Sequence, residues 1–373
     1  MSAEYRVRID QLRSEAARTP EGALQIELLE EAVEIADVHQ DVDLGYESRM
    51  ELIGAASWGG APERMLVAFS WCLAQFDRSP ERFERSSLYW RYKWVLGFLP
   101  EWPRVPLSRI EAAWQDAERR YREQGISLRP IHQLRASALL AMGRLHEAES
   151  AYRMWLDAPR DGDADCAACE LSSRSEYLIV ARRDEEALTL AAPLLAGRLR
   201  CKEEPGRTYS RILLAYLRLG RAAEGIPFYL KAARFAGRNP RFGWATGHFL
   251  DFLAYTNNLT RGLRLLEGRF RIAIATVNPA DRFKFLLGLR NFLDRLGETR
   301  QKPLKLRLSE SFPLYRPDAA YPLAELLAWC DREVADLARQ FDARNGTDAF
   351  ARAAIAHREL RKYAADIPIT AKS

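Results

Sequence analysis

The chain has 373 residues, 48% of them apolar and 29% charged, an ordinary composition for a protein that buries a large core. Its formal net charge of +5 is too small to indicate nucleic-acid binding unless the excess is concentrated on one face. The first residues lack the apolar segment of a signal peptide, and no apolar run reaches the roughly 18 residues of a membrane span. We therefore expect a cytoplasmic protein with reduced thiols. The excess of Arg over Lys is typical of a GC-rich bacterial genome.

The N-terminal segment, residues 1–126, is predicted to be helical and to contain degraded repeats. Apolar residues at helical spacing predict helices over 1–20 and 21–38. A third helix is predicted to end near Gly59, and a fourth to begin at Pro62, a residue that suits the first turn of a helix. This helix, break and helix pattern resembles that of the central residues.

The most aromatic stretch of the chain runs from Leu88 to Trp94. Interleaved aromatic and basic residues can stack the bases of single-stranded nucleic acid. However, the apolar residues from Leu88 to Leu99 lie three and four positions apart, on one face of a helix. We predict that this face packs into the core.

The central residues, 127–298, repeat one pattern four times. Each repeat contains an apolar helix, a short turn, and a second helix with a small residue near its start. The small residues are spaced 39, 38 and 37 positions apart: Ala148, Ala187, Gly225 and Gly262. The turns contain Gly143, Arg182, Gly220 and Asn257. A fixed period of this length is typical of stacked helical hairpins, so we predict an all-α solenoid of antiparallel hairpins without strands.

The residues after the repeats are predicted to form two further segments. The segment 299–322 is basic and contains four prolines, which predicts an irregular linker. The segment 323–373 is predicted to form two capping helices, the first of which ends at Asn345-Gly346.

The repeats resemble tetratricopeptide repeats (TPR). Gly143, Ala148, Tyr152 and Pro159 match the turn glycine, small crossing residue, aromatic residue and terminal proline of that family. The period is longer than the roughly 34 residues of the family, and two turns lack glycine. The resemblance implies a right-handed superhelix that binds a protein or peptide in a concave groove lined by the first helix of each hairpin.

The resemblance also implies which residues of this chain face the groove. They are mostly polar and come from successive first helices: Gln133, Ser137, Ser172, Glu176, Arg207, Ser210, Trp244 and Asp251. They lack the repeated Lys and Asn set with which chaperone-binding relatives hold a C-terminal carboxylate, so that activity is not expected.

The most specific chemical pattern is Cys166 and Cys169, with Cys201 farther along the chain. A spacing of three places the first two thiols on one helix face. An antiparallel hairpin returns Cys201 beside them. His132, near the start of the preceding first helix, is the predicted fourth ligand of a structural zinc site, and Asp165 or Glu204 can substitute for it. Two alternatives stay open, a redox pair and inert packed thiols.

The sequence contains no phosphate loop, dinucleotide fingerprint, zinc-protease motif or nucleophile elbow. We therefore predict a non-catalytic binding scaffold without a cofactor other than zinc. A peptide-sensing regulator of bacterial signalling is the first alternative and a nucleic-acid-binding helical repeat protein the second. No membrane partner is expected.

Overall fold

In a computed structural model, the structure describes residues 4–237, 242–299 and 302–370. They fold as an all-α protein, which confirms the predicted fold class. The chain forms two compact units, one of residues 1–135 and 153–164 and the other of residues 136–152 and 165–373. The predicted boundaries after residues 126, 298 and 322 remain predictions. Of the predicted segments, residues 1–3, 238–241, 300–301 and 371–373 lie outside the described residues.

The first unit begins with helices that each pack against the next along the chain. Their ends follow local sequence signals. The carboxylate of Asp41 accepts a hydrogen bond from Leu44 N at 3.2 Å, Gly60 ends a helix with φ 81°, and Pro62 begins the next. The helices are α1 Glu4–Arg18, α2 Ala23–Val38, α3 Val42–Gly59, α4 Pro62–Arg78, α5 Arg85–Phe98 and α6 Leu107–Glu123. A 3₁₀ turn spans Leu99–Glu101.

Helix α5 contains the aromatic stretch. The residues predicted to pack into the core are all buried: Leu88, Tyr89, Tyr92, Val95, Leu96 and Leu99. Tyr92 also donates a hydrogen bond to the Asp116 carboxylate at 2.7 Å. The core interpretation of this face is therefore confirmed.

The next two helices are α7 Arg129–Ala141 and α8 Leu145–Asp157. The remaining helices belong to the second unit: α9 Ala167–Val180, α10 Asp184–Leu195, α11 Gly206–Arg218, α12 Ala222–Gly237, α13 Ala245–Tyr255, α14 Leu259–Ile274, α15 Pro279–Gly297, α16 Leu323–Asn345 and α17 Ala349–Arg358. Helix α9 packs on α11, α11 on α13, and α13 on α15. The first helices of successive hairpins thus form one layer.

All four predicted turns contain one residue in the left-handed conformation. Its φ is 78° at Gly143, 63° at Arg182, 68° at Gly220 and 58° at Asn257. Glycine adopts this conformation freely, whereas Arg and Asn adopt it against steric resistance. The same turn geometry therefore recurs at the period read from the sequence, even where glycine is missing.

The small residue of each hairpin lies at a close helix contact. A β-carbon on Gly262 would lie 2.2 Å from Cε2 of Phe292, and one on Gly225 would lie 2.9 Å from Cε2 of Phe252. Ala148 and Ala187 are fully buried. Larger side chains do not fit there, which explains the periodic small residues.

The segment after α15 corrects one prediction. Strand β1, Leu304–Lys305, pairs antiparallel with β2, Ala320–Tyr321, whereas no strand was expected. Two-residue strands are too short to leave an alternating pattern in the sequence. Leu304 and Tyr321 are buried partners in this pair, so the predicted linker contributes to the core.

Candidate functional site

The start of α9 and the loop before α11 bring three cysteines together. Cys166 is the N-cap residue of α9, and its Sγ accepts a hydrogen bond from Cys169 N at 3.4 Å. Cys201 follows α10, and its backbone N–H donates to Glu204 O at 3.1 Å. The hairpin thus returns Cys201 to the start of its own first helix, as the sequence predicted.

The three thiols converge closely. The Sγ atoms of Cys169 and Cys201 lie 3.4 Å apart, and all three sulfurs lie within 4.8 Å of one another. Among the described residues, these three cysteines are the group of three potential metal ligands that lie close enough to bind one ion. All five cysteines are free thiols, and Cys166 is exposed whereas Cys72 and Cys330 are buried.

Local electrostatics distinguish the three thiols. Burial opposes ionisation of Cys166, but hydrogen bonds from the backbone N–H groups of Cys169 and Ala168 and from the neighbouring thiols lower its pKa. Burial, and then the hydrogen bond with Cys201, raises the pKa of Cys169. Cys166 therefore ionises more readily than Cys169. Such a group can bind a thiophilic cation or exchange disulfides.

The other predicted ligands have different surroundings. His132 belongs to the first unit, where burial lowers its pKa, and its role as a fourth ligand stays a prediction. The Glu204 carboxylate is buried and accepts hydrogen bonds from Arg207 Nε at 2.8 Å and Thr208 Oγ1 at 2.7 Å. Glu204 is thus already used to position the start of α11.

The residues predicted to face a groove fall into two sets. Ser172, Ser210 and Asp251 are fully buried between adjacent helices, Trp244 is also buried, and Gln133 is buried in the first unit. The side chains of Glu176 and Arg207 remain 33% and 27% exposed. Burial has a local cause, because short polar side chains pair across the helix contacts: Ser172 Oγ and Thr208 Oγ1 are hydrogen-bonded at 2.9 Å.

Charged and aromatic side chains of α11, α13 and α15 surround Glu176. Arg211 pairs with the Glu176 carboxylate at 2.7 Å, and its guanidinium lies 5.6 Å from the ring centre of Trp244. The ammonium of Lys284 lies 5.9 Å from the same ring. His248 contacts Ser210 O through Nδ1 at 3.2 Å. We call this set the polar face: Glu176, Arg207, Arg211, Trp244, His248 and Lys284.

Cations dominate the electrostatics of the polar face. Burial raises the pKa of Glu176, but the charges of Arg211, Lys284 and Arg207 overcome this effect and lower it. Burial lowers the pKa of His248 to about 4, although the Asp251 charge opposes this shift. At neutral pH the polar face therefore carries one carboxylate, three cations and a neutral imidazole, and the carboxylates of Glu204 and Asp281 lie beside Arg207 and Lys284.

The C-terminal segment, residues 349–370, lies on the same helix layer, which no sequence pattern indicated. His357 Nε2 lies 2.6 Å from Asp251 Oδ2, and Asn291 donates to Asp251 Oδ1 at 2.9 Å. Arg290 donates to Ala354 O at 2.5 Å. These partners are up to 106 residues apart, so no local pattern reveals them.

The end of the C-terminal segment is extended, and its backbone is bound. Asn258 donates to Ile367 O and accepts from Ile369 N, both at 2.9 Å. Ala365 N donates to Tyr255 O at 2.8 Å. The side-chain amide thus contacts the backbone at two points. Ile369 is buried, and its neighbours Pro368 and Thr370 are exposed.

No family model matches this chain, and no curated protein matches it. No helix within the described ranges combines the length and hydropathy needed to cross a membrane.

Proposed function

We propose that the second unit is a non-catalytic scaffold that binds a protein or peptide segment on its polar face. The observation that carries this proposal is the C-terminal segment, which already lies on the same layer of first helices. Its helical part binds that layer at Asp251, and its extended part binds the end of α13 and the turn that follows. Both are forms in which peptides bind to helical grooves and to backbone-reading surfaces. We place this function in the cytoplasm.

Two stripes of side chains, one on α13 and one on α15, run from the covered part of this layer to its accessible part. Trp244, the N-cap residue of α13, and His248 and Asp251 within it are spaced four and three residues apart, so they share one helix face. On α15, Lys284 and Asn291 are spaced seven apart and also share a face. The C-terminal segment contacts Asp251 and Asn291. The polar face lies at the other end of both stripes.

The charges of the polar face favour an acidic ligand. Each of the three cations has a carboxylate neighbour, but Lys284 lies farther from Asp281, at 3.4 Å, and its side chain is 40% exposed. The two cations beside the Trp244 ring leave the indole in an electropositive setting. We therefore propose a ligand segment that presents carboxylates to these cations.

The C-terminal segment also favours one second candidate, the peptide-sensing regulator. A segment bound within the same chain can be displaced by a free peptide, and its release can report that binding event. In this candidate the C-terminal segment is the element that moves.

The test is a peptide array probed with the full chain. Acidic peptides are expected to bind, and Lys284→Glu is expected to weaken them about tenfold, because a rim attraction becomes a repulsion. Arg234→Glu is the matched control, since Arg234 is an exposed arginine on the second helix α12 and has the same charge change. Equal binding by the wild-type chain and Lys284→Glu, or an equal loss in the control, would overturn the proposal.

A further inference from the structure

We propose that Cys166, Cys169 and Cys201 bind one thiophilic divalent metal ion of the zinc class, as a structural centre. This site goes beyond the proposed peptide binding and does not depend on it. Three thiolates are an accepted partial ligand set for zinc, with the fourth position left to water or to another side chain.

The sulfur positions agree with this geometry. Zinc binds a thiolate at about 2.3 Å, which places two sulfurs of one tetrahedron about 3.8 Å apart. The observed sulfurs are 3.4 Å apart for Cys169 and Cys201, and all lie within 4.8 Å. Shifts of a few tenths of an ångström for the close pair would suit a metal ion, whereas a disulfide needs an S–S distance of about 2.05 Å.

The charges near the thiols also favour metal binding. The N-terminus of α9 directs backbone N–H groups at Cys166. Positive charge of this kind stabilises thiolates, which are the form that binds a metal ion.

Packing alone does not explain these cysteines. Cys72 and Cys330 show what a packed thiol looks like in this chain, because both are fully buried. Cys166 is exposed, and Cys169 and Cys201 are half-buried. A disulfide between Cys169 and Cys201 would leave the third thiol without a role. A single metal ion uses all three.

The position of the site gives the metal ion a mechanical role. It would join the start of α9 to the loop that connects α10 to α11. At the other end of the same hairpin, Arg182 occupies a left-handed turn that glycine fills in the first and third hairpins. The metal ion would thus fasten a hairpin whose turn is strained.

The test uses the full chain, purified under reducing conditions without chelators. Elemental analysis is expected to find about one zinc ion per chain. Titration with Co²⁺ alone is expected to produce thiolate-to-metal charge-transfer absorption. Cys201→Ala and Cys166→Ala are each expected to lower metal affinity at least tenfold. Because Cys166 is exposed, its replacement tests the site without disturbing the core.

Cys72→Ala is the matched control, because it removes a thiol outside the group and should leave binding unchanged. Circular dichroism would establish that each variant is folded. Absence of both zinc and the cobalt–thiolate absorption in the reduced, folded chain would overturn the proposal. So would an equal loss of affinity in Cys72→Ala. Neither result would affect the peptide-array test.

Discussion

The Asp251 carboxylate of α13 lies 2.6 Å from Nε2 of His357, at the end of α17. Asp251 is fully buried, and Asn291 of α15 satisfies its other oxygen at 2.9 Å. A buried carboxylate is costly unless it is paired and hydrogen-bonded. The pair therefore fixes α17 against α13 and α15.

Replacing His357 should loosen the C-terminal segment. His357→Ala removes a charged hydrogen bond worth about 1.5–3 kcal/mol, so amides of α17 should exchange hydrogen roughly 10 to 150 times faster. Arg358→Ala is the adjacent control, since its partner Asp331 is 41% exposed and such surface pairs contribute under about 1 kcal/mol. Similar exchange rates in the two variants would contradict the assigned role of His357.

Gly288 should not tolerate a methyl group. A β-carbon there would lie 2.1 Å from Gly247 O, a backbone atom of α13 that cannot rotate away. Gly288→Ala should lower the free energy of unfolding by about 3 kcal/mol or more. Gly268→Ala, in the middle of α14 with no neighbour within 4 Å, should raise it by about 0.5–1 kcal/mol. Thermal unfolding measures both, and changes of the same sign would refute the close contact.

Arg182→Gly should stabilise the second hairpin. Arg182 is exposed and has φ 63°, a conformation that costs a non-glycine residue roughly 1 kcal/mol. Glycine at this position should raise the free energy of unfolding by about 1 kcal/mol. Arg182→Ala removes the same side chain but keeps the strain, so it should bring no such gain. Urea unfolding distinguishes the two outcomes.

His248 should make stability depend on pH. Asp251 on its own helix, Lys284 on α15, His357 on α17 and Glu176 on α9 all act on it electrostatically. Burial nevertheless lowers its pKa to about 4, below the 6.5 of an unfolded histidine. Between these values the unfolded chain binds the extra proton, so stability falls as pH decreases.

The loss of stability at low pH is measured against His248→Gln, a variant that keeps a hydrogen-bond donor for Ser210 O. Between pH 7.5 and pH 5 the wild-type chain should lose up to about 2 kcal/mol of stability relative to this variant. A constant difference in unfolding free energy over that range would show that His248 is readily protonated in the folded state.

Helical periodicity was sufficient to predict the hairpins, because each turn and small residue is determined within a few neighbouring positions. It also predicted the convergence of Cys166, Cys169 and Cys201, since one hairpin places all three. Helical periodicity did not predict the contacts between segments that are distant in the sequence. Asp251 lies three residues from His248 in the sequence, but its histidine partner is His357. Likewise, nothing local indicated that Ser172 and Ser210 are buried by a neighbouring first helix.

Every residue of α13 except His248 is buried, and α13 contacts α15 backbone to backbone at Gly247 and Gly288. Both ends of this helix are buried, so it has no exposed end that can fray. Its amide protons can exchange with solvent only when the whole second unit opens, so their protection reports the global free energy of that unit. Exchange at α13 therefore supplies the reference against which local opening of the C-terminal segment can be measured.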